Sequence, residues 1–296
     1  MSKATRIRQQ NARQKIAAQR AAEKRAETRR RMFITGGSVL AVIVIVVAFI
    51  VVKTVGGSSS STPPATSSPT GTPLPASVAS DIAGVPASAF ATVGKGSVPS
   101  YNPSPVNAVT GAPLTSQGKP EMLYIGAEFC PYCAAMRWSM ATALSRFGTL
   151  STPLHGIHSS STDVFPSTAT LTFYKSSYNS KYLTFTPVEN ETVNRTPLQA
   201  TTAAQQALWE KYNPNSYPFI DFGNKFVIKS PIYDPGVLKG KTWSQIAAAL
   251  HDPSSPVAQG VLGAANYITA AICKTTNNQP ASVCNTPTIK TVAGGL

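Results

Sequence analysis

Hydrophobic and polar positions divide the chain into regions with different patterns. Residues 32–52 form 21 consecutive positions without a charged side chain, and at ~1.5 Å per residue a helix of that length spans the ~30 Å hydrocarbon core of a bilayer. Residues 53–80 are rich in Ser, Thr and Pro without periodicity, which predicts an extended linker. The periodic patterns that follow predict a folded domain over residues 81–284 and a flexible tail over 285–296.

Within residues 119–251, segments with the period of a strand alternate with segments with the period of a helix, which predicts an α/β domain. Strands are predicted at residues 122–126, 154–159, 168–174 and 182–186, and a hairpin with a two-residue turn at 219–222 and 225–228. Helices are predicted at residues 131–147, after the Thr196-Pro197 cap, after Thr242 and after Pro256. We interpret the mixed pattern of residues 81–118 as a lead-in strand or arm.

The formal net charge of +14 belongs mainly to the N-terminal region. Residues 1–31 contain eleven Lys or Arg and two Glu, whereas the chain from residue 54 onward contains 14 basic and 10 acidic residues. Because basic residues beside a membrane span stay on the cytoplasmic side, we expect a cytoplasmic tail over 1–31, a transmembrane helix over 32–52 and a main domain outside the cytoplasm. A buried core helix and a cleaved signal peptide are the alternatives for 32–52. Nucleic-acid binding by the main domain is not expected.

Two of the four cysteines form a C-x-x-C motif, Phe129-Cys130-Pro131-Tyr132-Cys133, between a predicted strand and a predicted helix. At a helix N-terminus, unpaired N–H groups and the helix dipole favour a thiolate. We therefore expect a lowered pKa at Cys130, which would be the nucleophile, and we expect Cys133 to be the resolving thiol. This chemistry requires neither a metal nor another cofactor. Half of a zinc site and a purely structural disulfide are the alternatives.

Cys273 and Cys284 lie on the predicted extracytoplasmic side, where disulfides persist. A bond between them would close a small loop over residues 274–283, so we expect a structural disulfide, with a second redox pair as the alternative. His155 and His158 are three positions apart in a predicted strand. Their side chains are therefore expected on opposite faces, and no shared metal site is predicted.

The C-P-Y-C motif at the start of a helix, the Tyr217-Pro218-Phe219 segment before a hairpin, and a final helix together resemble the thioredoxin fold. The resemblance covers residues 119–251, with a strand-rich insertion at 160–195 and an extra C-terminal helix. It implies a cis peptide bond before Pro218, which would pack beside the C-x-x-C; an ordinary trans proline at the start of a strand is the alternative. The expected substrate groove would be lined by Tyr217, Pro218, Pro131, Tyr132, Phe129 and Glu128. For Glu128, a proton relay and a solvated loop carboxylate are both open.

Together with the predicted anchor, the chain also resembles the membrane-tethered DsbA-like proteins of prokaryotes and an uncharacterised prokaryotic thioredoxin-like family of unknown function. The dipeptide between the cysteines, Pro-Tyr, is typical of glutaredoxins. Thioredoxins have a buried Asp six residues before the first cysteine, whereas this sequence has Tyr124. The resemblance therefore implies thiol chemistry without the usual buried acid.

These features predict a membrane-tethered, extracytoplasmic thiol–disulfide oxidoreductase that acts on secreted or envelope proteins. Its expected partners are the thiols or disulfides of secreted proteins, a membrane thiol oxidase or reductase, and membrane lipid through residues 32–52. Oxidation and reduction of substrates are both open. Two alternatives from other classes are a non-catalytic thioredoxin-like binding module of an envelope complex, acting through the Pro218 groove or the 160–195 insertion, and a copper chaperone.

Overall fold

The computed structural model describes residues 71–296. The predicted cytoplasmic tail, the predicted transmembrane helix over 32–52 and the first part of the predicted linker lie outside the described residues. Within residues 71–296, no individual helix has both the length and the apolar composition to cross a bilayer. In this part of the chain, one bent pair of helices, Ala76–Ala83 and Ala87–Val93, meets both requirements when the two are taken together.

The described residues form a mixed α/β structure. Its strands are β1 (Thr72–Pro73), β2 (Asn107–Ala108), β3 (Thr115–Ser116), β4 (Lys119–Gly126), β5 (Gly148–Leu150), β6 (His155–His158), β7 (Ala169–Thr172), β8 (Tyr178–Ser180), β9 (Thr184–Glu189), β10 (Phe219–Phe222) and β11 (Phe226–Ile228). Its helices are α1 (Ala76–Ala83), α2 (Ala87–Val93), α3 (Val98–Tyr101), α4 (Pro131–Leu144), α5 (Ala203–Tyr212), α6 (Trp243–Ala249), α7 (Pro256–Thr275), α8 (Ala281–Cys284) and α9 (Pro287–Ala293).

Strand β4 is the centre of the main sheet. It pairs in parallel with β9, from Glu121 opposite Thr184 to Gly126 opposite Glu189, and antiparallel with β10 on its other side. The sheet continues from β10 to β11 and β2, and β3 pairs with the start of β4. Residues 122–126 are buried on both faces, which explains why the sequence shows a continuous apolar run there instead of an alternating one.

Helices α4 and α7 are buried along almost their whole lengths. Trp138 of α4 is fully buried and donates a hydrogen bond from Nε1 to the carbonyl oxygen of Ala169 in β7, at 3.0 Å. Strand β7 belongs to a second, three-stranded sheet, β1-β6-β7. The core therefore joins two sheets through α4, and α4 begins at the C-x-x-C motif.

The expectation for the region before residue 119 is only partly confirmed. Residues 76–80, assigned to the linker, and part of the 81–118 segment, expected to be a strand or arm, form α1, α2 and α3, whereas β2 and β3 are short strands of the main sheet. Val78 and Ile82 of α1 and Phe90 of α2 are buried in the core. Prolines immediately precede α1 and α2, and these apparent helix breakers conceal the i, i+4 spacing of the apolar residues behind them.

The flexible tail predicted over 285–296 is also an incorrect expectation. Residues Pro287–Ala293 form α9, and its apolar Ile289 and Val292 are buried against the core. A disulfide joins Cys273, near the end of α7, to Cys284, with a Cα–Cα distance of 5.5 Å. The bond holds the end of α8 beside the end of α7. Helix α9 follows and packs against the core.

Three of the predicted elements shift. The helix expected after Thr196-Pro197 begins at Ala203, where Thr202 and Gln205 form a capping box, and Pro197 instead forms a bridge with Glu191. The strand expected at 182–186 is β9, which begins and ends later. In the β10–β11 hairpin, Phe222 pairs with Phe226, so the loop has three residues instead of two. The other predicted strands and helices are confirmed within a few residues.

Candidate thiol site

Cys130 and Cys133 lie where β4 turns into α4. Cys130 is the N-cap residue of α4, and its Sγ accepts a hydrogen bond from the backbone N–H of Cys133 at 3.2 Å. Both are free thiols in the structure. Cys130 is 4% exposed, whereas Cys133 is fully buried. The two sulfur atoms therefore occupy different environments, and Cys130 is the one closer to solvent.

The environment separates the acidities of the two thiols. The hydrogen bond from the Cys133 side chain lowers the pKa of Cys130 against the opposing effect of burial, and the Cys133 backbone N–H and the Arg137 charge act in the same direction. Burial raises the pKa of Cys133 well above its ordinary value, and the hydrogen bond and charge of Cys130 add to this effect. Cys130 is therefore the thiol that ionises first.

A buried ion pair lies beneath the cysteines. Arg137 donates to Glu189 through Nε, at 2.8 Å from Oε1, and through Nη2, at 2.6 Å from Oε2, and both side chains are completely buried. The same Nη2 donates to the carbonyl oxygen of Ala127 at 2.8 Å. That oxygen also accepts the backbone N–H of Cys130 at 3.2 Å. One carbonyl group thus connects the ion pair to the first cysteine.

Sequence analysis did not identify Arg137 or Glu189. A signal was available for Arg137, because it is the only charged residue in the fourteen positions of α4 and follows Cys133 by four residues. This spacing places both side chains on one face of the helix. Glu189 had no such signal, because its position beside Arg137 depends on the parallel pairing of β9 with β4.

Tyr124 lies in the same buried region, six residues before Cys130. Among the described residues, neither its hydroxyl nor Nη1 of Arg137 has a hydrogen-bond partner, and both are buried. The Arg137 guanidinium is 6.0 Å from the centroid of the Tyr124 ring. Burial raises the pKa of Tyr124 well above its ordinary value. Tyr124 is therefore a neutral group next to an arginine.

Aromatic side chains surround the cysteines. Phe129 packs edge-on against Tyr217 at 6.1 Å, and Tyr217 stacks on Trp209 at 5.1 Å. Tyr132 packs edge-on against Phe165 at 6.0 Å, and the Arg195 guanidinium lies 3.7 Å above the Phe129 ring. Phe165 and Arg195 were not identified from sequence. They show that both ends of the 160–195 segment reach the thiol site.

Three of the expected groove residues, Tyr217, Tyr132 and Phe129, lie together beside the cysteines. Tyr217 and Tyr132 pack on the cluster formed by Ala127, Phe129 and the two cysteines, and the Tyr217–Pro218 peptide bond is cis. The Tyr217 hydroxyl accepts a hydrogen bond from Asn190 Nδ2 at 2.8 Å. Pro131 is the buried first residue of α4. Pro218 leads directly into β10, which pairs with β4 and so holds the proline segment close to the start of α4.

Glu128 has a different environment. It is 1% exposed, so it is not a solvated loop carboxylate, and its Oε1 accepts a hydrogen bond from the Thr172 hydroxyl at 2.7 Å. Burial raises the pKa of its carboxyl. Glu128 lines a cavity of about 440 Å³ together with His158 and Trp243. Within residues 71–296, no group of three or more His, Cys, Asp or Glu side chains is placed to hold a metal ion.

A family model matches residues 106–274 of the chain, and this family is described as a domain of unknown function (DUF929). The matched segment contains both cysteines of the motif, the Arg137–Glu189 pair and the Tyr217–Pro218 segment. Comparisons with the curated proteins and with the solved structures find no match. Because the family model covers more than half of the 296 residues, the chain belongs to the DUF929 family.

Proposed function

We propose that this protein is a thiol–disulfide oxidoreductase, with Cys130 as the nucleophile and Cys133 as the resolving thiol. The observation that carries the proposal is the asymmetry of the pair. Cys130 caps a helix and has a lowered pKa, whereas Cys133 is fully buried and has a raised pKa. Exchange requires one thiol that ionises readily and a second that attacks only an already formed mixed disulfide.

In the direction that oxidises the enzyme and reduces the substrate, the Cys130 thiolate attacks one sulfur of a substrate disulfide. A bond forms between Cys130 and that sulfur, and the other substrate sulfur leaves as a thiolate. Cys133 then loses its proton and attacks Cys130 Sγ, which releases the second substrate thiolate and leaves a Cys130–Cys133 disulfide. The substrate gains two electrons and the enzyme loses two. The reverse sequence oxidises a substrate dithiol, and a membrane thiol oxidase or reductase would restore the starting state.

The second step requires ionisation of a fully buried thiol, and Arg137 is suited to assist it. Its guanidinium lies one helical turn after Cys133 and keeps Nη1 without an acceptor among the described residues. A fixed positive charge in a low-dielectric interior favours an anion more strongly than it would in water. Arg137 is therefore a positioning residue that stabilises negative charge on the buried sulfur.

The topology supports a thioredoxin-like arrangement for the central sheet. A strand leads directly into the helix that carries the cysteines, a parallel strand lies on one side, and an antiparallel hairpin that follows the cis-proline segment lies on the other. The additional elements β5 to β8 come between α4 and β9. On this proposal they are an insertion in the fold, and they contribute the second sheet and part of the wall around the cysteines.

The proposed location is the outer face of a membrane, with residues 32–52 as the anchor and residues 1–31 in the cytoplasm. The uncharged stretch beside a basic segment supports this location. The Cys273–Cys284 disulfide is in keeping with an oxidising compartment. Unfolded or maturing secreted proteins would then be the substrates.

The test is a redox titration of the full-length protein in detergent, equilibrated with glutathione buffers and analysed by thiol alkylation and mass. The Cys130–Cys133 pair is expected to titrate reversibly between the ~−120 mV of strong oxidants and the ~−270 mV of strong reductants. Cys130→Ser should abolish the reaction with oxidised glutathione, whereas Cys133→Ser should accumulate a mixed disulfide. The matched control is the Cys273→Ala/Cys284→Ala double variant, which should retain the titration.

A non-catalytic binding module is the second candidate, and one observation favours it. Both cysteines are at most 4% exposed, and aromatic side chains surround them. A folded pair that never equilibrates with glutathione, while the same chain reacts in denaturant, would support the binding module and contradict the oxidoreductase.

A further inference from the structure

A second concave site lies away from the cysteines, where α4 ends. It is a cleft of about 590 Å³, within the size range of small-molecule sites. Its walls come from the α1–α2 elbow, the end of α4, the middle of α7 and the α8–α9 segment. They include Val85, Phe90, Arg146, Asn266, Val283 and Thr286. Most of the surface is apolar, and no acidic side chain lines it.

Arg146 is the charged group of this cleft, and its position is fixed. Both acceptors of its Nη1 belong to α7, with Asn266 Oδ1 at 3.3 Å and Thr269 Oγ1 at 3.2 Å. The guanidinium lies 4.3 Å from the centroid of the Phe90 ring. Asn266 is itself held, because its Nδ2 donates to the carbonyl oxygens of Phe90 and Gly94 at 2.9 and 2.8 Å. The protein therefore orients the guanidinium without neutralising it.

The fully buried Arg137 and the partly buried Arg146 differ at one edge. The Nε and Nη2 groups of Arg137 are occupied by the Glu189 carboxylate. The corresponding Nε and Nη2 groups of Arg146 have no acceptor among the described residues, and no carboxylate there forms an ion pair with Arg146. Burial lowers the pKa of Arg146 to about 10, so the group is still charged at neutral pH. A partly buried cation thus presents a two-donor edge that matches two oxygens of a carboxylate or sulfonate.

We propose that this cleft binds an organic anion, with a carboxylate or sulfonate on the Nε–Nη2 edge of Arg146 and an apolar body against the cleft walls. The anion would compensate the desolvated charge, and two charge-assisted hydrogen bonds would orient it. The apolar walls would contribute affinity for the body of the ligand without selecting the sign of its charge. This proposal concerns a different part of the molecule and does not depend on the thiol chemistry.

The test uses two fluorescent probes of almost the same shape on the full-length protein in detergent. The anionic probe is 8-anilinonaphthalene-1-sulfonate, and the neutral probe is N-phenyl-1-naphthylamine. Arg146→Gln should weaken binding of the anionic probe by about tenfold or more, because it removes both charge-assisted hydrogen bonds to the anion. Binding of the neutral probe should change by less than about twofold.

Two further variants keep the test decisive. Lys290→Gln removes an exposed positive charge from neighbouring α9 and should leave both probes unaffected, which controls for net charge. Ala87→Trp places a large side chain in the cleft at an exposed position and should reduce binding of both probes. Equal binding of the anionic probe by Arg146→Gln and the parent overturns the proposal. Binding unaffected by Ala87→Trp, or no saturable binding of the anionic probe to the parent protein, also overturns it.

Discussion

Folding removes the Arg137 guanidinium completely from water, and Glu189 is its counter-charge. Leaving one member of such a pair buried alone costs about 3–5 kcal/mol. We therefore expect Arg137→Met to lower the free energy of unfolding by about that amount, as measured by urea denaturation. The double variant Arg137→Met/Glu189→Leu should recover much of the loss, because no buried charge is left uncompensated. Equal stability of the single and double variants would contradict this account.

The same substitution tests the electrostatic contribution to Cys130. Because the Arg137 charge helps to lower the pKa of Cys130, Arg137→Met should shift the pH dependence of alkylation by iodoacetamide to higher pH. A purely structural role for Arg137 would change stability and leave that profile in place. The Arg137→Met/Glu189→Leu variant is the matched comparison, since it lacks the same charge in a better-folded protein.

Asp221 lies buried in β10, with one carboxylate oxygen accepting the Asn224 N–H and the other without a partner among the described residues. Burial raises the pKa of Asp221 to about 6, with Glu121 adding to the effect and Lys211 opposing it. The folded state therefore holds this proton more tightly than the unfolded chain, and the corresponding stability is present below about pH 4 and lost as the pH rises through about 6.

Asp221→Asn should remove that dependence. We expect the stability of the parent, relative to the variant, to decrease between about pH 4 and pH 7. Urea midpoints for both proteins across this range provide the measurement. Parallel curves for the parent and the variant would show that Asp221 does not titrate in this way.

At the residue scale, the local sequence pattern was sufficient to predict a role only for side chains whose environment comes from their own helix. The roles proposed for Cys130 and Cys133 follow from the order strand, C-x-x-C, helix. The Arg137–Glu189 pair requires two strands, 119–126 and 184–189, to meet in one register. The position of Arg195 above Phe129 likewise depends on a loop 66 positions away. These contacts join residues far apart in the chain, so no short stretch of the sequence predicts them.

At the element scale, β6 packs closely against α6. A side-chain carbon on Gly156 would contact the Leu74 side chain and lie 2.9 Å from the Trp243 indole, whose Nε1 donates to the Thr170 carbonyl oxygen at 2.7 Å. Gly156→Ala should therefore lower the free energy of unfolding by about 1–3 kcal/mol through overpacking. Gly295→Ala is the matched control, because its nearest neighbour would be at 3.6 Å. Equal urea midpoints for the two variants would contradict the expected crowding.

At the element scale, strong periodicity was the reliable guide. The long helix after Pro256 and the hairpin around Gly223 are confirmed, since each has an uninterrupted pattern. The errors concentrate where proline or small residues interrupt the pattern, as in residues 76–101 and 287–293. Those short helices are stabilised mainly by burial against α7 and its neighbours, and isolated helices of that length are marginal. The pattern of one sequence segment does not show which helix it will pack against.

For the whole molecule, the Cys273–Cys284 bond ties the C-terminal segment to the core. The bond closes a short loop, with a sequence separation of 11, and its removal should cost about 2–3 kcal/mol. We expect Cys273→Ala/Cys284→Ala to lower the thermal midpoint while the Cys130–Cys133 pair stays titratable. Proteolysis should then begin in residues 285–296, with α9 released first. An unchanged thermal midpoint would mean that burial of Ile289 and Val292 alone holds the segment.

Helix α4 separates the two proposed sites by its own length. Cys130 caps its first turn, and Arg146 follows its last residue by two positions. At ~1.5 Å per residue, its 14 residues extend about 21 Å. A compact molecule in the cleft is therefore too short to reach either sulfur. Only an extended chain of about seven residues or more, at ~3.3 Å each, could touch both sites, which sets a minimum length for an inhibitor that blocks both.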